Sequence, residues 1–117
     1  NVRTRIEASD TRDYLRPFSA WSNFIEGEAD VRNGAAHAAV AHLNDALAAW
    51  RGDLDGASPR IALADLALAR AQLALGNRAA AVAAVDAAAG IERRQPRLDP
   101  QYREALESVR TQLAQMR

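Results

Sequence analysis

The chain has 117 residues, a length that suits one small domain and is too short for two. Its 15 basic residues are all arginine and are balanced by 15 acidic residues, so no net field attracts it to nucleic acid or anionic lipid. It has no cysteine, which excludes disulfides and thiolate chemistry, and no apolar run approaches the ~20 residues of a transmembrane helix.

The composition favours helices. Alanine occupies 28 positions, hydrophobic residues make up 49% of the chain and aromatic residues only 5%. Alanine has the highest helix propensity, whereas β-sheets are rich in aromatic and β-branched residues. We therefore expect an all-α protein.

Residues 1–16 form an N-terminal segment that precedes the first clear helical pattern. The segment begins with Asn instead of Met, which suggests a piece of a longer or processed protein, and it does not lead into a signal peptide. Its apolar residues Val2, Ile6, Tyr14 and Leu15 are compatible with the end of a preceding helix. The compartment stays open, with the cytoplasm slightly favoured.

The main predicted domain spans residues 17–117, and its first unit spans residues 17–58. This unit contains a helix over 17–33, a turn at Gly34 and a second helix over 35–51. A loop rich in glycine and aspartate then leads to the next unit.

The second predicted unit spans residues 59–99. Ser58 before a proline is a strong helix start, because serine caps the helix and proline at the first helical position loses no hydrogen bond. Apolar residues at helical spacing continue to a turn at Gly76, and Asn77 can cap a second helix that runs to about Arg94.

The last segment, residues 100–117, predicts a single capping helix. Asp99 and Pro100 repeat the start signal of the second unit. Apolar side chains lie on one side of this helix, and arginine and glutamate lie on the other. A charged outer face suits the end of a stack of helices.

The two complete units repeat at a spacing of 42 residues. Gly34 returns as Gly76, and Phe24 is matched by Leu66. Further pairs in this register are Pro17 and Pro59, Val31 and Leu73, Ala39 and Ala81, Leu43 and Val85, and Ala46 and Ala88. Because one helix pair cannot bury its apolar face alone, such a period predicts an α-solenoid of stacked antiparallel helix pairs.

These residues resemble the tetratricopeptide repeat (TPR), a helix-turn-helix unit with the pattern W-x2-L-G-x2-Y, then Ala-x3-Phe and a later Ala. Leu68 and Ala69 stand at its Leu-Gly positions, Ala81 and Val85 stand at its Ala-x3-Phe positions, and Gly27 is the small residue of the first unit. The period resembles that of the longer-helix variants in kinesin light chains and bacterial signalling proteins.

Two positions depart from the TPR pattern. In the first unit Glu26 replaces the usual leucine. In the capping helix Arg110 falls on the small position, where an arginine would obstruct a partner helix.

The resemblance implies a concave face, built by the first helix of each unit, that binds a peptide or another protein. The implied positions are Trp21, Phe24, Glu28, Val31, Arg32, Leu63, Leu66, Arg70 and Leu73. Arg70 is the strongest candidate, because a guanidinium can hold a carboxylate by two parallel hydrogen bonds. The alternatives are ordinary interhelix packing and, for Arg70, pairing with Asp65 or contact with water. The lysine and asparagine clamp of members that bind chaperone tails is missing, because the chain has no lysine.

No catalytic or metal-binding constellation is evident. His37 and His42 are five residues apart, so they do not share a helix face as ligands at i and i+4 would. Glu26 and Asp30 are interpreted as a solvated face. The helix after Gly76 lacks side chains that read DNA bases. We therefore expect no enzyme activity, no metal or cofactor, and no nucleic-acid or membrane partner.

Charge is uneven along the chain. Residues 17–92 carry 5 arginines and 9 acids, a net charge of −4, and residues 93–117 carry 6 arginines and 3 acids, a net charge of +3. This asymmetry fits head-to-tail self-association or simply a solvated terminal helix. The leading hypothesis is a protein-binding module or scaffold, and the alternative is a structural or oligomerising arm of a larger bacterial regulatory or signalling protein.

Overall fold

The computed structural model describes residues 19–53, 58–95 and 100–115. These residues form five helices and no strand, which confirms the all-α prediction. The helices are α1 over 19–32, α2 over Ala36–Asp53, α3 over Pro59–Ala74, α4 over Arg78–Arg94 and α5 over Pro100–Gln115. The predicted N-terminal segment 1–16 lies outside the described residues, as does most of the loop between the two units.

The predicted helix starts of the second unit form as expected. Ser58 Oγ accepts a hydrogen bond from the backbone N–H of Arg60 at 3.3 Å, and Pro59 is the first residue of α3. Asn77 Oδ1 accepts from the backbone N–H of Ala80 at 3.2 Å. Each cap satisfies a donor that the first turn of a helix leaves unpaired.

The turns within the two units have the same geometry. Gly34 and Gly76 have φ angles of 79° and 76°, in the left-handed region that favours glycine. The following residues, Ala35 and Asn77, donate to carbonyls five residues earlier at 2.8 Å in both turns. This is the Schellman ending of a helix, and it joins α1 to α2 and α3 to α4 through very short connections.

The central helix is α3, which packs against α2, α4 and α5. One core cluster lies mainly between α1, α2 and α3, and includes Phe24, Leu43, Trp50 and Ala67. A second lies between α3, α4 and α5, and includes Leu66. Thus α3 buries two faces, one in each cluster.

Several pairs of positions 42 residues apart are buried to the same degree. Phe24 is 3% exposed and Leu66 is 2% exposed, and Ala39 and Ala81 are both completely buried. The period therefore corresponds to equivalent packing positions in the two helix pairs.

The predicted division of the last helix into an apolar and a charged side is confirmed, and Arg110, which falls on the small position of the TPR pattern, lies on the charged side. Arg110 is exposed and donates to Glu107 Oε1 at 2.7 Å, whereas the neighbouring Val109 is completely buried. An arginine keeps its charge in water while valine gains from burial, so α5 turns Val109 inward. Within the described ranges, no helix is long and apolar enough to cross a membrane.

Candidate functional site

Helices α1, α3 and α5 share one side of the molecule, where two depressions adjoin. The larger, of about 460 Å³, is lined by Val31, Arg70, Leu73, Ala74, Gln112 and Gln115. The smaller, of about 280 Å³, is lined by Glu28, Val31, Arg32, Ala67 and Arg70. Because both share Val31 and Arg70, we treat them as one surface and call it the groove.

Arg70 lies where the two depressions meet. It is half-buried, and within the described part of the chain it makes no hydrogen bond or ion pair. Asp65 is not its partner, since Asp65 pairs with Arg51 instead. Asp65 and Arg70 are five positions apart in α3, so their side chains leave the helix about 140° apart. The guanidinium of Arg70 therefore keeps its donors for a ligand.

Five of the predicted positions line the groove. They are Glu28, Val31, Arg32, Arg70 and Leu73. Glu28 and Arg32 also make no hydrogen bond or ion pair among the described residues. The structure thus brings unpaired charges of both signs to one surface.

Three other predicted positions belong to the core. Phe24 and Leu66 are buried, and Leu63 packs against the first core cluster. Phe24 and Leu66 are therefore covered by protein and cannot contact a ligand in the groove. The helical period places Phe24, Leu63 and Leu66 away from solvent. It does not show whether such a residue faces a neighbouring helix or the groove.

Trp21 is 43% exposed and is not among the described residues that line the groove. Its ring centroid lies 5.5 Å from that of Phe24 and 6.1 Å from that of Trp50. The guanidinium carbon of Arg60 lies 5.5 Å from its ring centroid, a cation–π distance. These contacts fix Trp21 between α1, α2 and the start of α3.

Four residues of the groove were not predicted from the sequence. They are Ala67 and Ala74 from α3, and Gln112 and Gln115 from α5. The alanines leave the space that a larger side chain would fill. The two glutamines could have been found by extending the predicted face to the capping helix, since a spacing of three residues places side chains on one helix face.

Asp65 lies on the other side of α3, in a depression of about 300 Å³ between α2, α3 and α4. It is 1% exposed, and its Oδ1 accepts from Arg51 Nη2 at 2.9 Å. Its Oδ2 has no hydrogen-bond partner among the described residues. Burial raises the pKa of Asp65 from 3.8 to about 6, although the charge and hydrogen bond of Arg51 lower it. The buried carboxylate of Asp65 and the exposed Arg51 thus form an ion pair that links α2 to α3.

His42 of α2 lies between two carboxylates of α1. Its Nδ1 is 2.8 Å from Asp30 Oδ2, and its Nε2 is 3.1 Å from Glu26 Oε2. The interpretation of Glu26 and Asp30 as a solvated face alone was therefore incomplete. In the described ranges, no group of three or more histidine and acidic side chains could hold a metal ion.

In comparisons with protein-family models, curated proteins and solved structures, nothing matches this chain.

Proposed function

We propose that this chain is a TPR-like interaction module that binds an extended peptide segment of a partner protein in the groove. The observation that carries the proposal is Arg70, which lies half-buried where the two depressions meet and has no hydrogen-bond or ion-pair partner among the described residues. A guanidinium in this setting is suited to a carboxylate of the partner, because it can donate two parallel hydrogen bonds.

The repeat supports a solenoid arrangement. The two turns share one geometry, and burial is the same at the equivalent positions Phe24 and Leu66 and at Ala39 and Ala81. Helices α1 and α3 are the first helices of their units, and α5 takes the place of a first helix in an incomplete third unit, because Pro100 lies 41 residues after Pro59. All three contribute to the groove, as the first helices of a TPR-like stack would.

The shape of the groove supports an elongated ligand. The larger depression has the volume of an ordinary ligand site, and the smaller continues from it across Arg70. Val31, Leu73 and Ala74 provide apolar contact, while Gln112 and Gln115 can pair with peptide backbone groups.

The experiment is a selection of peptides from a random display library against the purified chain. Selected peptides are then measured against Arg70→Glu and against Arg78→Glu, a matched control at the start of α4. We expect Arg70→Glu to weaken binding by about tenfold or more, and Arg78→Glu to leave it unchanged. Circular dichroism shows whether both variants fold. Failure to select any peptide, or equal binding by both variants, would contradict the proposal.

A second candidate function is a structural or oligomerising arm, and Ile25 favours it. Ser22, Ile25 and Ala29 of α1 correspond by the 42-residue period to Ala64, Ala67 and Ala71 of α3. The α3 residues are buried in the first core cluster, whereas Ile25 is 47% exposed. This face of α1 thus resembles a surface that packs against other helices.

The arm hypothesis is tested by the mass in solution, measured by light scattering. A dimer that becomes a monomer on Ile25→Ser, without any effect of Arg70→Glu, would favour the arm. A monomer at all concentrations would favour the binding module.

A further inference from the structure

We propose that the partner segment runs across the groove from α1 toward α5 and presents a basic residue to Glu28 and an acidic residue to Arg70. This inference rests on the proposed function, and it adds the order and spacing of charges in the partner.

Glu28 and Arg70 occupy the same position of the repeat, 42 residues apart, but carry opposite charges. Both line the smaller depression, Glu28 from α1 and Arg70 from α3. Both are half-buried, and neither forms a hydrogen bond or ion pair in the described part of the chain. Equivalent positions on two neighbouring helices therefore offer an acceptor and a donor to the same ligand.

The remaining charge of the groove does not cancel this pattern. Arg32 lies one turn after Glu28 on α1, but Arg32 is exposed, whereas Glu28 is half-buried. Water and salt screen an exposed charge more strongly than a partly buried one. The partner thus meets a negative position on α1 and a positive position on α3.

The spacing follows from helix packing. The axes of packed helices lie about 8–10 Å apart, and an extended chain advances about 3.3 Å per residue. The basic and acidic residues of the partner are therefore about three positions apart. Beyond Arg70, the amides of Gln112 and Gln115 on α5 can bind the continuing backbone.

The order of charges determines specificity. Exchanging the two charged residues of the partner would place an acid against Glu28 and a base against Arg70, and like charges in contact weaken binding. A charge-swapped groove, with Glu28→Arg and Arg70→Glu, should then prefer the exchanged partner. The double variant keeps the net charge of the protein, so a change in preference reports the arrangement alone.

The experiment starts from the peptides selected on the wild-type chain. For each peptide a second version is synthesised in which only the basic and acidic residues change places, so that the flanking residues still fix its direction. Fluorescence anisotropy measures both versions on the wild-type and on the charge-swapped groove. We expect the wild type to prefer the original version by about tenfold and the charge-swapped groove to prefer the exchanged version.

Two results overturn this inference while the proposed function stands. One is a set of selected peptides that lack a basic and an acidic residue about three positions apart. The other is a preference that the charge swap does not reverse, in peptides that Arg70→Glu weakens. Peptides that Arg70→Glu does not weaken would instead show that the proposed function is wrong.

Discussion

Burial of the Asp65 carboxylate disfavours its charged form, and the ion pair with Arg51 compensates for this only in part. Removal from water raises the pKa of Asp65 and Arg51 lowers it, and the net result is a pKa of about 6 instead of the usual 3.8. The folded state therefore binds a proton more tightly than the unfolded chain between these two values. It follows that Asp65 contributes most to stability below about pH 4, and that this contribution disappears as the pH rises through about 6.

The first prediction concerns Asp65→Asn, which keeps the shape of the side chain and removes its titration. We expect the free energy of unfolding of the wild type, relative to this variant, to rise by about 2–3 kcal/mol between pH 7.5 and pH 4. Urea unfolding followed by circular dichroism measures this difference. Asp86→Asn, an exposed carboxylate of α4 beside the same depression, is the control. A difference that stays flat for Asp65→Asn would show that Asp65 is not desolvated.

Gly27 is required by close packing and not by its backbone angle. A Cβ atom at this position would lie 2.6 Å from Cγ of Leu43, which is completely buried. Gly27→Ala should therefore destabilise the protein by about 1–2 kcal/mol, despite the higher helix propensity of alanine. Gly90→Ala is the matched control, because a Cβ there has ordinary contacts. We expect it to stabilise α4 by about 0.5–1 kcal/mol. Thermal unfolding measures the change in stability of both variants. If both substitutions stabilise the protein, or both destabilise it, close packing against Leu43 does not explain Gly27.

Comparison of the two units suggests a second substitution that should offset the destabilising effect of Gly27→Ala. In the second unit the positions equivalent to Gly27 and Leu43 hold Ala69 and Val85, which lie in one core cluster. Leu43→Val added to Gly27→Ala should recover part of the lost stability, because the smaller valine makes room for the new methyl group. A double-mutant cycle with the two single variants measures this coupling. Strict additivity would show that the two units pack differently at these positions.

At the scale of a single helix, the start of α3 depends on Ser58. Its side chain accepts the backbone N–H of Arg60, so Ser58→Ala leaves that donor without its partner. We expect a loss of about 1 kcal/mol in the free energy of unfolding. Ser22→Ala, on the exposed surface of α1, should cause no loss. If the two serine variants behave alike in urea unfolding, the cap does not stabilise α3.

Local chemistry explains which features of the helices were predictable. The caps at Ser58 and Asn77 and the turns at Gly34 and Gly76 depend on a few adjacent residues, so the sequence indicates them directly. The two sides of α5 also follow from the sequence, because the helical period places Val109 on its apolar side and Arg110 on its charged side.

At the scale of the whole molecule, the candidate site was predictable only in part. The register of the TPR pattern predicted Glu28 and Arg70 on one surface, and both line the smaller depression. It misplaced Leu66, because a central helix of a stack is apolar on two faces and the helical period does not separate them. The ion pair of Arg51 and Asp65 joins residues 14 positions apart on different helices, so no local sequence pattern predicts this contact.

The central claim is that a partner segment lies in the groove between α1, α3 and α5. The most direct measurement is a ¹H–¹⁵N NMR titration of the chain with a selected peptide, including the side-chain Nε of Arg70. We predict that the largest shift changes fall on Arg70, Val31 and Leu73, and on the side-chain amides of Gln112 and Gln115. The signals of the α2 and α4 surface should stay in place. Shift changes centred on that surface, or on Trp21 and Ile25, without a change at Arg70, would show that the peptide does not bind in the groove.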